Sequence, residues 1–524
     1  MDLEGPHRPG NQPVKAAPQR GHLGFLARIG PASIAAFAVL GATAARTLRE
    51  PLADPDVWWH LRTGQLIVAT HHIPHTDPFS FTAFGKPWLV QEWGSQVVFH
   101  GIASTFGLRA IVVWRALMLV LFYVLVARLI VKEAGHRVGA WALVAIVAFA
   151  GASSWTERPN LFSFVLFAVT LNLLRRRDRT VWWFVPIAAV WANLHGMVLI
   201  GLGLVMVVAA TEGLKIALRW EGAEPAWARR IGLVAGTGFL ASFANPYGPG
   251  LHLYALKLVR SSIPLISEWG SPDFHTVDGA LFLLLLLLAV VGLSLSPRRP
   301  DPTDVIVTLA FVTLAAMAAR NLTLSSVVLG VTVARYLPGV LGRVTVRWQG
   351  RTSREVGSAA AAVLNVTCLA VVVAAFAILT AGDFPRSDSV AAVASPVFPV
   401  ETLERLQGGS VRLYTDETWA GLALYLGWPH TLVALDGRLD FYGSSLVADY
   451  MRAWVGRPEW QDYMRRYCVT HVLLDDIDPL VVALRSDPGW VLIDQQTVAT
   501  RGTSGAKHRA VMYAPRVLPP SCTD

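Results

Sequence analysis

Charge is scarce in this sequence: 15% of its 524 residues are Asp, Glu, Lys or Arg, where a soluble domain carries about a quarter. That shortage excludes an ordinary water-soluble globule and points to lipid as part of the solvent. Cysteine is scarcer still. The three present, Cys368, Cys468 and Cys522, exclude a disulfide-built framework, although Cys468 and Cys522 both lie in the tail and can pair. The formal net charge of +9 predicts no nucleic-acid partner, because the basic residues of a membrane chain collect in its cytoplasmic loops.

Long apolar runs take the place of charge. Hydrophobic residues make up 53% of the chain and the mean hydropathy is +0.46. The runs recur from Ile34 to residue 380, each ended by a charge, a Pro or a Gly. A span needs about 20 mostly apolar residues to cross about 30 Å of hydrocarbon. Ala110–Val131, Met197–Ala210, Ala280–Leu295 and Ala359–Leu379 are clear examples, whereas Leu161–Leu174 must borrow flanking residues or tilt. The pattern predicts an α-helical polytopic membrane protein with about eleven transmembrane helices over residues 29–380. Residues 1–28 read as a disordered arm. The first apolar segment, Ile29–Ala45, reads as a retained helix, although Ala42-Thr43-Ala44 mimics a signal-peptide cleavage site.

Charge placement then predicts orientation. Arg8, Lys15, Arg20 and Arg28 put the N-terminus in the cytoplasm, and the first long loop, residues 50–105, outside. Alternation from there places Lys132–Arg137, Arg175–Arg179, Lys215–Arg230, Arg298-Arg299 and Arg343–Arg354 inside. The opposite side receives the segments rich in acid, His and Trp, and the last span delivers the tail, residues 381–524, to that side. The expected location is a plasma or inner membrane, with an extracytoplasmic C-terminal domain. The tail reads as α/β, with strands at Val411–Tyr414, Leu432–Leu435, His471–Leu474 and Trp490–Ile493 and helical stretches between them.

The first outer loop is the richest in chemistry. It opens with Asp54-Pro55-Asp56-Val57-Trp58-Trp59-His60-Leu61-Arg62. Two carboxylates flanking a Pro can face one substrate, share a divalent ion or supply a general base. They can equally cap the next helix. The neighbouring Trp58, Trp59, His60 and Arg62 suit sugar stacking and phosphate binding. His71, His72 and His75 follow, at a spacing that fits no closed zinc pattern. Glu92 and Trp93 end the loop. Shorter outer segments add Arg158 beside Glu157, Asn193 with His195, and Glu268. Arg320 ends a span on the outer side against the positive-inside bias, which makes it a candidate phosphate clamp. In the tail, Asp436-Gly437-Arg438 with Asp440 forms a tight polar turn, read either as a salt-bridged structural turn or as a ligand site.

Together these residues resemble the GT-C superfamily of integral membrane glycosyltransferases, and within it a bacterial group of mostly uncharacterised proteins. The likeness rests on the acidic pair just past the first span, the long loop after it, and about eleven spans before an exported tail. It rests more specifically on the Asp-x-Trp-Trp-His-Leu-x-x-Gly, Pro-x-x-Asp-Pro-Phe-Ser-Phe-Thr, Glu-Trp and Asn-Leu-His-Gly strings. Ala420-Gly421 and Leu435–Gly443 extend it into the tail. The resemblance implies transfer of a sugar from a polyprenyl-phosphate donor to a glycan, lipid or protein acceptor at the outer face. Asp54 or Asp56 would act as the base or as a ligand of a divalent cation such as Mg or Mn, with Asp56 preferred because it lies nearer the Trp pair. Arg residues would hold the leaving phosphate, and the tail would bind the acceptor or close over the loop. A transporter would call for mid-membrane charges and repeated halves, neither of which the sequence shows. A non-catalytic envelope-assembly scaffold is the other alternative.

Overall fold

A computed structural model of the chain describes residues 30–135, 138–260, 267–345, 358–381, 384–406, 409–500, 506–518 and 522. The expected cytoplasmic arm and most of the basic Arg343–Arg354 segment lie outside them. The apolar runs form helices at the expected places. These are α1 (Pro31–Arg49), α4 (Arg109–Ala134), α5 (Val138–Phe149), α6 (Asn160–Arg176), α7 (Phe184–Leu194), α8 (Val198–Ala217) and α9 (Pro225–Ala241). They continue with α11 (Val277–Leu295), α12 (Pro302–Met317), α13 (Leu322–Thr345) and α14 (Ser358–Ala381). Five stretches among the described residues are long and apolar enough to cross a membrane: α1, α4, α8, α11 and Ala319–Leu341 in α13. Val138–Phe149, Pro302–Met317 and Val363–Ile378 are apolar but shorter. The expected number of about eleven therefore needs short helices to count as crossings.

The two ends of the bundle differ chemically. At one end, Asp304 pairs with Arg175 at 3.0 Å and Arg335 at 3.3 Å, and Lys215 pairs with Glu212 at 3.1 Å and Asp301 at 3.2 Å. These pairs tie together α6, α8, α12 and α13, and two of their basic residues, Arg175 and Lys215, belong to segments that the charge alternation sends to the cytoplasm. The other end carries the first loop.

That loop folds into two helices, α2 (Asp56–Thr70) and α3 (Trp93–Phe106), packed closely on each other. The approach depends on Gly64, where an added Cβ would lie 2.0 Å from the Gln96 carbonyl oxygen. A further helix, α10 (Gly250–Arg260), lies in a later segment that the charge alternation sends to the same side as the first loop.

The tail is built on a five-stranded sheet ordered β2-β1-β3-β5-β4. Its strands are β1 (Val411–Thr415), β2 (Thr431–Val433), β3 (His471–Asp475), β4 (Trp490–Ala499) and β5 (Lys507–Pro515). The first three run parallel, and β5 and β4 return antiparallel. Its helices are α15 (Val390–Val393), α16 (Val400–Glu404), α17 (Glu417–Gly427), α18 (Leu439–Trp454), α19 (Trp460–Arg466) and α20 (Pro479–Ser486). The expected strands appear, and β5 is one the sequence reading did not separate.

The first loop docks against the tail along one continuous apolar core that includes Trp58, Phe79, Phe398 and Trp419. Phe79 and Phe81 hydrogen-bond to Val433, so the loop covers the open edge of β2. Leu52 is bonded to Val393 and Ser395 in the same way. Arg109 forks onto Asp388 with Nε and NH2 each at 3.1 Å.

Cys468 and Cys522 form a disulfide with Cα atoms 5.4 Å apart, and Cys368 is free and exposed. Such a bond persists only in an oxidising compartment. Thiol labelling of unfolded, unreduced protein should therefore find Cys368 alone reactive, with Cys468 and Cys522 labelling only after reduction. Labelling of all three cysteines without reductant would place the tail in a reducing compartment.

Candidate functional site

The acidic turn after α1 is held by groups far away in sequence. Arg115 of α4 is buried against Glu157 at 2.5 Å and donates to the carbonyls of Thr47 and Glu50 at the end of α1. Glu157 in turn accepts the Asp54 N–H at 2.9 Å. Asp54 is then fully engaged. Its Oδ1 accepts the Asp56 N–H at 3.0 Å, as a carboxylate does at a helix start, and its Oδ2 lies 2.6 Å from Arg158 Nε. Burial alone would raise its pKa, but the Arg158 charge and hydrogen bonds outweigh it and hold Asp54 below the usual carboxylate range.

Asp56 is the freer acid. Its Oδ1 accepts from Trp59 Nε1 at 3.1 Å, and its Oδ2 lies 3.2 Å from Arg158 NH2. Burial, opposed by Arg158 and reinforced by Asp54 and Glu92, pushes its carboxyl up to about 7. The two acids of one turn are thus shifted in opposite directions, with Arg158 closer to Asp54 than to Asp56.

Glu92, just before α3, is the third acid. Its Oε1 lies 3.2 Å from His195 Nε2, and its Oε2 lies 3.5 Å from His60 Nε2. Burial opposes its charge, yet the His195 hydrogen bond, with His60 and Arg320, prevails and holds Glu92 down to about 2. The side chains of Asp56 and Glu92 keep 17% and 14% exposure, so both remain within reach of a ligand. His60 is buried, and that burial lowers its pKa to about 4.

The rim and roof come from other segments. Glu268 reaches Arg158 at 3.2 Å. Arg320 lies over the Trp269 ring at 5.6 Å and has no carboxylate within ion-pair distance among the described residues. Asp440 of α18 accepts from the Tyr254 hydroxyl of α10, joining the tail to that helix. An added Cβ on Gly437 would lie 2.0 Å from Asp56 Oδ1, so the tail presses directly on the acid.

Asp54, Asp56, Trp59, His60, Glu92, Arg158, His195, Glu268 and Arg320 are thus gathered at one end of the bundle. Trp93 and Asn193 meet beside them, with Nε1 to Oδ1 at 3.1 Å, and bind α3 to α7. Four expected residues find other partners. Trp58 is buried in the core against Phe398 and Tyr425. Arg62 donates to the carbonyls of Leu424 and Tyr425 at the end of α17. Asp436 and Arg438 are buried as a forked pair at 2.8 and 2.6 Å, and Arg438 also reaches Asp77 at 2.8 Å. Arg438 is covered by Trp88 at 4.3 Å, which makes it a pin between loop and tail. Asp440, which the sequence offers as part of the polar turn in the tail, comes to the site with Tyr254. Nothing in the sequence marks Tyr254 or Gln96, whose Nε2 lies 3.2 Å from His60 Nδ1.

A dedicated divalent cation does not fit these residues. Arg158 already occupies the space between Asp54 and Asp56 with its own positive charge. No group of three His, Cys, Asp or Glu with metal-holding geometry occurs among the described residues.

No protein-family model and no curated protein matches the sequence. Solved structures do. The archaeal oligosaccharyltransferase AglB from Archaeoglobus fulgidus, in complex with an inhibitory peptide and a dolichol-phosphate, aligns at a TM-score of 0.56 and 12% identity over 84% of this chain and 69% of that one. A second structure of the Archaeoglobus fulgidus oligosaccharyltransferase, tethered to an acceptor peptide, aligns over the same shares at 0.53 and 13%. ArnT from Cupriavidus metallidurans bound to undecaprenyl phosphate aligns over 91% of this chain and 97% of its own at 0.45 and 13%. AglB, an oligosaccharyltransferase, has the fold that the resemblance implies. The chain has the GT-C fold, with a helical membrane domain followed by an α/β tail.

Proposed function

We propose that the protein transfers a sugar from a polyprenyl-phosphate donor to a hydroxyl-bearing acceptor at the outer face of a plasma or inner membrane. About eleven helices would cross the bilayer, the shorter ones by tilting, with the N-terminus in the cytoplasm. The observation that carries this reading is the accessible Asp56 carboxyl, set near 7 beside Arg158 at the loop-bearing end of the bundle.

A general base works best when its pKa lies near the operating pH. In the proposed reaction, Asp56 takes the proton of the acceptor hydroxyl as that oxygen attacks the anomeric carbon. The bond from carbon to phosphate oxygen breaks, and its electron pair stays on the lipid phosphate. Arg158 and Arg320 then face the developing charge. A single displacement inverts the anomeric configuration. No step passes through a metal.

The test incubates wild type, Asp56→Asn and Asp54→Asn with radiolabelled polyprenyl-phosphate sugars and a membrane extract. Transfer by wild type that is lost in Asp56→Asn supports the reading. Absence of donor consumption by wild type sets it aside in favour of a scaffold.

The tail contact makes a separate prediction. In Gly437→Ala the new methyl meets a carboxylate fixed by Trp59 and Arg158, so it cannot simply swing away. A shift of about 1 Å at a reacting group costs about 10²-fold, and transfer by Gly437→Ala should fall by that order. Wild-type rates in this variant would show that the tail does not position Asp56.

A further inference from the structure

Glu92 stands between two imidazoles, and the far side of each ring decides what the near side can do. The His195 Nδ1 accepts the Met197 backbone N–H at 3.4 Å. A backbone amide can only donate, so this nitrogen bears no proton. The Ser163 Oγ, 2.9 Å from the same Nδ1, accepts from Trp191 Nε1 at 2.7 Å, and its own hydroxyl hydrogen is free to donate to the ring, as the Met197 contact requires. The one ring proton of His195 therefore sits on Nε2 and points at Glu92 Oε1, 3.2 Å away.

His60 obeys the same logic. Its Nδ1 lies 3.2 Å from Gln96 Nε2. With the amide turned this way Gln96 donates, His60 Nδ1 accepts, and Nε2–H faces Glu92 Oε2 at 3.5 Å. Turning the amide over would put a proton on Nδ1 and aim a bare Nε2 lone pair at a carboxylate, which is repulsive.

We propose that His60 and His195 are positioning residues whose Nε2–H groups clamp the two oxygens of Glu92, making it a fixed, ionised hydrogen-bond acceptor for a substrate hydroxyl rather than a ligand of a metal. Nε2 carries a proton in both rings, so neither offers that lone pair to a cation. Metal-bound histidines show the reverse pattern, with the outer nitrogen donating. The unshared lone pairs of Glu92, whose side chain keeps 14% exposure, remain for a ligand, and its charge is felt by both Asp56 and Asp440. The substrate half of this inference rests on the proposed transfer reaction. The tautomer half does not.

The first measurement needs no substrate. Nitrogen-15 NMR of histidine-labelled full-length protein in nanodiscs, assigned through His60→Gln and His195→Gln, reads which ring nitrogen carries the proton. The expected result is Nε2–H at both residues near neutral pH, with no metal at one equivalent by elemental mass spectrometry. An Nδ1–H tautomer at either residue, or one equivalent of bound metal, overturns the clamp whether or not transfer is ever observed. The second measurement compares His195→Gln, whose amide can still donate to Glu92, with His195→Leu. The Gln variant should keep kcat/KM within about tenfold of wild type, and the Leu variant should lose about 10²-fold, as expected when one charge-assisted hydrogen bond is removed. Equal losses in two folded variants would reduce His195 to a packing role and overturn the proposal.

Discussion

Sugar transfer by Asp56→Asn should fall about 10²- to 10⁴-fold below wild type, the range that general acid–base catalysis contributes, while the protein melts where wild type does. Asn keeps the shape of Asp and can still meet Trp59, so the variant separates loss of a proton acceptor from loss of fold. The pH profile carries the same argument further. Asp56 acts as a base only when ionised, and its carboxyl is pushed up to about 7. The wild-type rate should therefore rise through that pH and level off above it. Glu92 is among the groups that raise Asp56, so Glu92→Gln removes a negative neighbour and should move the acid limb to lower pH. Burial, the leading cause, stays in place, so the limb should not fall to the value of a free Asp. Initial transfer rates across the neutral range decide it. Asp56→Asn turning over like wild type would end the assignment of this residue as the base.

How much of this site the sequence could reveal follows from how local each part is. The apolar runs are local, and each became a helix near its expected place. The Asp54-Pro55-Asp56 turn is local too, and it does begin a helix. The sequence left Asp54 and Asp56 close to equivalent, because what separates them is Arg158, about a hundred residues on, sitting nearer one than the other. The sequence offers Trp58 and Trp59 together for sugar stacking, yet adjacent helix positions point about 100° apart. Trp59 therefore faces Asp56 while Trp58 is buried under the tail. The Asp436-Gly437-Arg438 turn was legible as a polar turn, but its partners Asp77 and Trp88 lie in the first loop, beyond any local pattern. The Tyr254 to Asp440 bond spans 186 positions. Nothing near either residue signals the other.

Glu157→Gln should be among the most destabilising single changes at this end of the bundle, costing about 3–5 kcal/mol. Arg115 and Glu157 are 2% and 1% exposed in side chain. Removing the carboxylate that faces Arg115, the one within ion-pair distance among the described residues, leaves a guanidinium uncompensated in a dry site, which is where the cost arises. The carbonyls of Thr47 and Glu50 satisfy some of its N–H groups but not its charge. Arg115→Lys should also destabilise, since an ammonium cannot fork toward Glu157 and α1 together. The paired change Arg115→Met with Glu157→Gln removes both charges and should recover much of the lost stability. Thermal unfolding in detergent, followed by tryptophan fluorescence, measures all three. If Glu157→Gln melts with wild type, the pair carries no stability and its claim to hold the turn goes. The paired variant is the more informative one, because stability and function part there. Its bundle should hold, yet the hydrogen bond from the Asp54 N–H to Glu157 would now end on an amide free to turn. A stable but slow enzyme would then mean that this ion pair is kept to aim the acidic turn rather than to hold the helices together.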